Sequence, residues 1–201
     1  MLLHRFLLKG NILTQCKHLI DVDFFIRHNL ISKGYELTHP VVLDQYPQNS
    51  KYEALEFSID KKKVIYRKGN LTPDRPGNFL SIWKRPDENS TESKRTMPYD
   101  KNDLDYLFVE VNDYESSKRG MFIFPLSVLI NKKIITSDKT KGKMAFRVFP
   151  PWTSSRGELK TKVFSNSAKK TQLWQSDYFL WIEDNKIIDF EKFTKIFGNL
   201  T

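Results

Sequence analysis

Residues 55–66 read Leu55-Glu56-Phe57-Ser58-Ile59-Asp60-Lys61-Lys62-Lys63-Val64-Ile65-Tyr66. Apolar and polar residues alternate from Leu55 to Ile59, the period of a strand with one buried face. Apolar residues return at Val64-Ile65-Tyr66 after a short polar run, so the stretch predicts a β-hairpin. Downstream, Phe79-Leu80-Ser81-Ile82-Trp83, Tyr106 to Val111, Met121 to Phe124 and Met144 to Phe149 each predict a further strand. Pro150-Pro151 stops the last of these. Pro125 is placed to open a short helix with Leu126, Val128 and Leu129 turned inward.

Upstream, residues 12–33 carry apolar residues at spacings near three and four, which predicts one helix or two short ones. Residues 39–51 and 86–102, polar and proline-containing, read as loops, and 136–142 as a basic turn-rich loop. Ser167 is the expected cap of a helix carrying Ala168, Leu173, Trp174 and Phe179; Asp189 is the expected cap of a last helix that closes near Gly198. Helices, central strands, then helices give an α+β single domain with a central mixed or antiparallel sheet flanked by helices. Residues 1–34 form its N-terminal helical segment and 35–201 the α+β domain, in one unit.

The chain has 201 residues, 39% hydrophobic, with 33 Lys+Arg against 24 Asp+Glu and a net charge of +9. That length and core content fit a single folded domain and exclude a disordered chain. The leucines at 2, 3, 7 and 8 resemble a signal peptide, but Arg5 and Lys9 interrupt them and no small-residue cleavage site follows, so helix is expected there. One cysteine, Cys16, rules out an internal disulfide and fits a reducing, cytoplasmic setting; on an apolar helix it reads as a core residue. The four histidines, at 4, 18, 28 and 39, show no metal-ligand spacing.

The charge is uneven. Residues 61–85 hold eight basic residues and one acidic, a net +7; residues 139–170 hold nine and one, a net +8. The rest of the chain is therefore net negative. Clustered cations attract polyanions, and phosphate neutralisation dominates nucleic-acid affinity. Arg67, Lys84, Arg85, Lys143, Arg147, Lys169 and Lys170 are the candidate phosphate contacts. Gln172 and Gln175, on one predicted helical face, are candidates for base edges or sugar oxygens. Trp174 lies round from both and reads as core.

Nucleotide-binding glycine loops, zinc-peptidase and serine-hydrolase motifs are absent. A metal-dependent nuclease needs paired carboxylates and often a lysine, commonly an acid on one strand and acid-x-Lys on the next. Acid-x-Lys occurs at Asp60-x-Lys62, Glu92-x-Lys94 and Glu158-x-Lys160, none on a confident buried strand. Glu110 is the strongest strand-borne acid, but Asn112 stands two residues on. The candidate catalytic set is Asp105, Glu110 and Lys84, with Glu53 or Glu56 as further acids. Asp103 and Asp105 are the candidate metal ligands, for Mg²⁺ if the chain cuts.

Six segments in order resemble the bacterial MepB-like family: Tyr52-Glu-Ala-Leu-Glu56-Phe57; Tyr66-Arg67 with Thr72-Pro73; Gly77-Asn78-Phe79 leading to Ile82-Trp83-Lys84-Arg85; Gly120-Met-Phe122-Ile-Phe124-Pro125; Gly142-Lys143 through Arg147 to Pro150-Pro151-Trp152; and Lys170-Thr171-Gln172-Leu173-Trp174-Gln175 with Tyr178-Phe179. The resemblance spans roughly residues 35–182. It implies a small cytoplasmic bacterial protein, a restriction-endonuclease-like architecture and nucleic-acid binding. It also implies a gene neighbourhood shared with a multidrug efflux pump. The leading expectation is a DNA- or RNA-binding protein with an endonuclease-like core and no visible cleavage motif. The alternatives are an active Mg²⁺ nuclease and a small-molecule-binding accessory protein linked to efflux. No membrane contact is expected.

Overall fold

The computed structural model describes residues 2–44, 52–85 and 96–198. The predicted hairpin is its centre. β2 (Leu55–Ile59) and β3 (Lys62–Lys68) pair antiparallel, with Phe57 opposite Val64. Asp60 and Lys61 join them at φ 49° and 64°, the doubly left-handed turn that matches strand twist. β3 then runs parallel to β8 (Tyr106–Asp113), which pairs antiparallel with β9 (Lys118–Pro125). With β1 (Leu37–Leu43), β11 (Phe179–Glu183) and β12 (Lys186–Ile187), these form a seven-stranded mixed sheet ordered β1-β2-β3-β8-β9-β11-β12.

Alternation sends the two sets of apolar side chains to opposite faces. On one face Phe57, Tyr66, Phe108, Met121 and Ile123 meet α1 (Leu2–Asn29) and α4 (Phe190–Phe197) through Phe25, Ile26, Phe193 and Phe197. Each fully buried Phe contributes about 1.5–3 kcal/mol by leaving water. Asn29 locks the end of α1: its Nδ2 donates to the carbonyls of Phe25 and Asn185, and its Oδ1 accepts from Ile187 N–H. On the other face Ile65, Leu107, Val109, Phe122 and Phe124 meet Leu80, Ile82, Leu129 and Val148. Leu129 comes from α2 (Leu126–Asn131), Leu80 and Val148 come from a three-stranded sheet, and Ile82 directly follows one of its strands. That sheet is ordered β10 (Ala145–Val148), β5 (Arg75–Ser81), β4 (Asn70–Thr72). Gly120 on β9 is required by close approach, since a Cβ there would stand 2.1 Å from the Phe179 ring.

The α+β single domain is as expected; several elements differ. One helix, α1, runs to Asn29 and a 3-10 turn follows at Ile31–Lys33. Cys16 is exposed on it, not core. Residues 37–43 form a strand despite Pro40, because β1 is a sheet edge where a missing N–H is tolerated; 45–51 lie outside the described residues. The expected strand 79–83 bends: β5 ends at Ser81, and β6 (Trp83–Lys84) pairs with β7 (Met97–Pro98) from the expected loop. Residues 86–95 of that loop lie outside the described residues. α3 (Asn166–Ser176) is capped by Ser165, whose Oγ accepts from Ala168 N–H, rather than by Ser167. Phe179 lies in a strand, beyond that helix. Asp189 caps α4 as expected, its Oδ1 accepting from Lys192 N–H.

Candidate nucleic-acid interface

β10 is an edge strand, so one row of its backbone groups needs partners outside the sheet. α3 supplies them. Gln175 is fully buried; its Oε1 accepts from Phe149 N–H at 2.8 Å and its Nε2 donates to Arg147 C=O at 3.0 Å. Gln172 Nε2 donates to Pro150 C=O at 2.8 Å. Both glutamines therefore dock the helix and do not reach for bases, a correction to the sequence expectation. Trp174 packs on Phe124 at 5.6 Å between centroids, with Lys132 Nζ 5.0 Å from its ring.

Between β10 and α3 lies a groove of about 320 Å³, and Lys132, Lys143 and Arg147 are its charged lining, all cationic. Lys143, Lys169 and Lys170 are exposed. Arg147 turns back: Nη2 donates to Thr72 Oγ1 at 2.8 Å, Nη1 donates to the Pro76 and Gly77 carbonyls, and the guanidinium lies 5.5 Å from the Phe79 ring. It is half-buried and braces the β4–β5 turn as well as facing the groove.

Lys84 sits differently. Its ammonium donates to Asp100 Oδ2 at 2.6 Å and to Asp103 Oδ1 at 2.7 Å. Burial alone would lower the lysine, but these two carboxylates outweigh it and hold the ammonium above its ordinary value. Asp103 Oδ2 also accepts from Asp100 N–H at 2.6 Å. Asp105 is engaged elsewhere, accepting from Lys63 N–H at 2.8 Å where β3 and β8 begin. Asp103 and Asp105 thus do not form a shared pair.

Glu110 lies in the middle of β8, whereas Asp105 precedes the strand; at the rise of an extended chain the five positions between them span about 16 Å. Glu110 is buried against α1, held by Arg119 through Nε at 3.0 Å and Nη2 at 3.2 Å, by the Tyr66 hydroxyl and by Asn112. Burial would raise it, but these donors outweigh burial and lower its pKa. Asp105, Glu110 and Lys84 therefore do not converge. Among the described residues no three His, Cys, Asp or Glu side chains gather into a metal-holding group. Lys84 cancels one of the two carboxylate charges beside it and donates to an oxygen of each, and only two carboxylates stand there, so no metal-holding group is formed by these residues.

Arg67 is fully buried and cannot meet a phosphate. Its Nη2 pairs with Asp44 at 2.7 Å and donates to Tyr99 Oη at 2.8 Å; its Nη1 donates to Tyr66 C=O. The position where acid-x-Lys would stand opposite Glu56 is Ile65-Tyr66-Arg67. Glu56 is raised by burial and by Asp44, with Arg67 opposing. Asp60-x-Lys62 forms the hairpin turn, and Glu158-x-Lys160 an exposed 3-10 turn; Glu92-x-Lys94 lies outside the described residues. Arg85 lies 5.9 Å from the Trp83 ring.

Sequence reading missed three contributors. Lys132 lies outside both basic windows, and only its place at the end of α2 brings it to the groove. Asp100 and Asp44 gain meaning only through Lys84 and Arg67. Glu53, a candidate acid from the sequence, is held elsewhere: it contacts His18 Nδ1 at 2.7 Å and accepts from Lys68 Nζ at 2.7 Å. Burial would raise it, but His18 and Lys68 bring it down to about 2.

No curated protein matches the chain, and no helix among the described residues is long and apolar enough to cross a membrane. A bacterial homing endonuclease of solved structure is 14% identical with a TM-score of 0.33, over 70% of this chain and 83% of that one. A crystal structure of MepB is 35% identical with a TM-score of 0.58, over 71% of this chain and 85% of that one. The MepB-like family model matches residues 46–181, so with a strand-and-helix core aligned to a solved member, this chain belongs to the MepB-like family.

Proposed function

We propose that this protein binds nucleic acid along the β10–α3 face. The observation that carries the reading is the groove of about 320 Å³ whose charged lining is cationic throughout, flanked by exposed lysines. Lys143, Lys169 and Lys170 neutralise phosphates and release counterions, and Lys132 and Arg147 extend the positive field into the groove. Trp174, covered by Phe124 and Lys132, keeps the groove wall rigid instead of stacking on bases. The contacts are to backbone phosphate, so binding is tolerant of sequence. No cleavage step is assigned, because among the described residues the groove lining holds no carboxylate and Asp74, 3.7 Å from Arg147 Nη2, stands alone beside that guanidinium.

Fluorescence anisotropy with labelled single- and double-stranded DNA and RNA tests the reading. The logarithm of the binding constant should fall linearly with log salt, and Lys143→Ala, Lys169→Ala and Lys170→Ala together should flatten that slope by roughly 2–3. No binding at low salt, or binding indifferent to the triple substitution, overturns it.

A further inference from the structure

Between the end of β10 and the start of α3 the chain makes a small hairpin at residues 156–162. Arg156 and Lys162 pair antiparallel, each N–H donating to the other's carbonyl, at 2.9 and 2.8 Å. The tip is Glu158-Leu159-Lys160, a 3-10 turn. Leu159 is 98% exposed, and its backbone is left-handed at φ 49° and ψ 27°, followed by Lys160 at φ 59°. Leucine is costly here for two separate reasons. It leaves a whole apolar side chain in water. It also holds a conformation that glycine or asparagine adopts with little strain. Either of those residues would remove both costs, so a strained leucine at an exposed tip points to a use.

The surroundings narrow that use. The hairpin carries Arg156, Lys160 and Lys162 against Glu158 alone, and Lys160 and Lys162 are exposed. Its base is tied to the cationic groove. Phe164 N–H donates to Ser155 Oγ at 3.0 Å, the Phe164 ring lies 5.6 Å from that of Phe149, and Phe149 lines the groove. α3, which carries Lys169 and Lys170, starts two residues after Phe164. The hairpin thus emerges beside the groove. Three residues beyond the Arg156–Lys162 bridge give Leu159 a reach of at most about 10 Å. The minor groove of a duplex is about 7.5 Å deep, a distance of the same order.

We infer that this hairpin is a wedge, and that the nucleic acid on the β10–α3 face is a duplex in which Leu159 opens a base step from the minor groove. An apolar side chain inserted there partly unstacks the step and bends the duplex toward the major groove. Lys160 and Lys162 hold the flanking phosphates, and Leu159 leaves water as it fills the gap between base pairs. Pyrimidine–purine steps open most readily and are preferred. A lipid surface fits less well, because one leucine buries far less than the acyl chain that gives only marginal membrane binding. The inference rests on the proposed nucleic-acid function and narrows it to a duplex.

The test uses the full chain and a short duplex with 2-aminopurine replacing the adenines of its TA steps. Anisotropy reads binding, and 2-aminopurine fluorescence reads unstacking. Saturating protein should raise the fluorescence. Leu159→Asn should abolish the rise while the duplex still binds, with a thermal midpoint at or above that of the parent chain, because the left-handed strain is relieved. Leu159→Met, which keeps an apolar side chain of similar volume, should retain the rise. The triple alanine substitution of Lys143, Lys169 and Lys170 should instead weaken binding itself. Binding without a fluorescence rise, or a rise that Leu159→Asn retains, overturns the wedge and leaves the proposed function standing. No binding of any nucleic acid overturns both. Leu159-dependent sedimentation with phosphatidylserine vesicles, without a fluorescence rise on the duplex, gives the tip to a lipid surface and also overturns the wedge.

Discussion

Residues 61–85 and residues 139–170 carry eight and nine basic side chains, and the fold uses them in contrasting ways. In the first region most cations serve the protein itself. Lys62 donates to Phe197 C=O at the end of α4, Lys63 to Asn102 C=O, and Lys68 to Glu53. Arg67 is inside, and Lys84 joins Asp100 and Asp103. In the second region Lys139, Lys141, Lys143, Lys160, Lys162, Lys169 and Lys170 are exposed. The difference follows from strand position. The first region contains β3, a central strand of the seven-stranded sheet, and its alternate residues are driven into the interior. The second contains an edge strand, loops and a surface helix. Equal charge in sequence therefore does not mean equal charge offered to a ligand.

The contrast breaks most visibly at Arg67. Arg67→Ala leaves Asp44 buried beside an unfilled space, and should destabilise the fold by about 3–5 kcal/mol in urea denaturation. A loss below about 0.5 kcal/mol, the usual range for a surface position, would show that the first region is not internally committed.

Next in size is the second region. The triple alanine substitution of Lys143, Lys169 and Lys170 should weaken oligonucleotide binding by about tenfold or more at low salt. Its thermal midpoint should hold within a few degrees, since surface substitutions cost little. A large stability loss here would erase the distinction between the regions.

Lys84 tests the boundary. Its side chain is 21% exposed, so its ion pairs are screened in part. A double-mutant cycle of Lys84→Ala with Asp103→Ala should return a coupling of about 1 kcal/mol. A coupling near zero would move Lys84 to the solvent-facing class.

The acid limb of stability sharpens the first region further. Glu53 is brought down to about 2 from its ordinary 4.5 by His18 and Lys68. Its contribution is therefore complete above about pH 4.5 and is lost as pH falls toward 2. Glu53→Gln should flatten the stability profile across that window, measured by urea midpoints at successive pH values. An unchanged limb would remove Glu53 from the internal network. The smallest effect is expected at Glu56, whose carboxyl is raised by burial and by Asp44. The folded state disfavours its ionised form, so Glu56→Gln should raise the thermal midpoint at neutral pH by about a degree or two. A fall would show that the ionised carboxylate is needed.

How much was legible can be traced residue by residue. The hairpin at 55–66 was readable because Leu55, Phe57 and Ile59 alternate and a turn-forming Asp60-Lys61 follows. The last helix was readable because Asp189 caps it and Phe190, Phe193 and Phe197 share a face. Phe179 was misread as helical because it follows a helical run directly, and its pairing partner Phe122 is 57 positions away. Gln172 and Gln175 looked like surface readers because they share a helical face. The edge strand they satisfy lies more than 20 residues upstream.

By itself, the sequence determined local matters: periodicity, turn and cap chemistry, the absence of several catalytic motifs, and a total charge with two basic concentrations. These depend on neighbours a few residues apart. Only the tertiary structure decided which cations are spent on Asp44, Asp100, Asp103 and Glu53, and which remain on the surface. It also decided that Asp105 is held by the Lys63 N–H where β3 and β8 begin while Glu110 is held by Arg119 along the strand, so that the two never meet. Ion pairing and convergence depend on through-space distance, and that distance is set by strand order and sheet packing, which spacing along the chain does not encode.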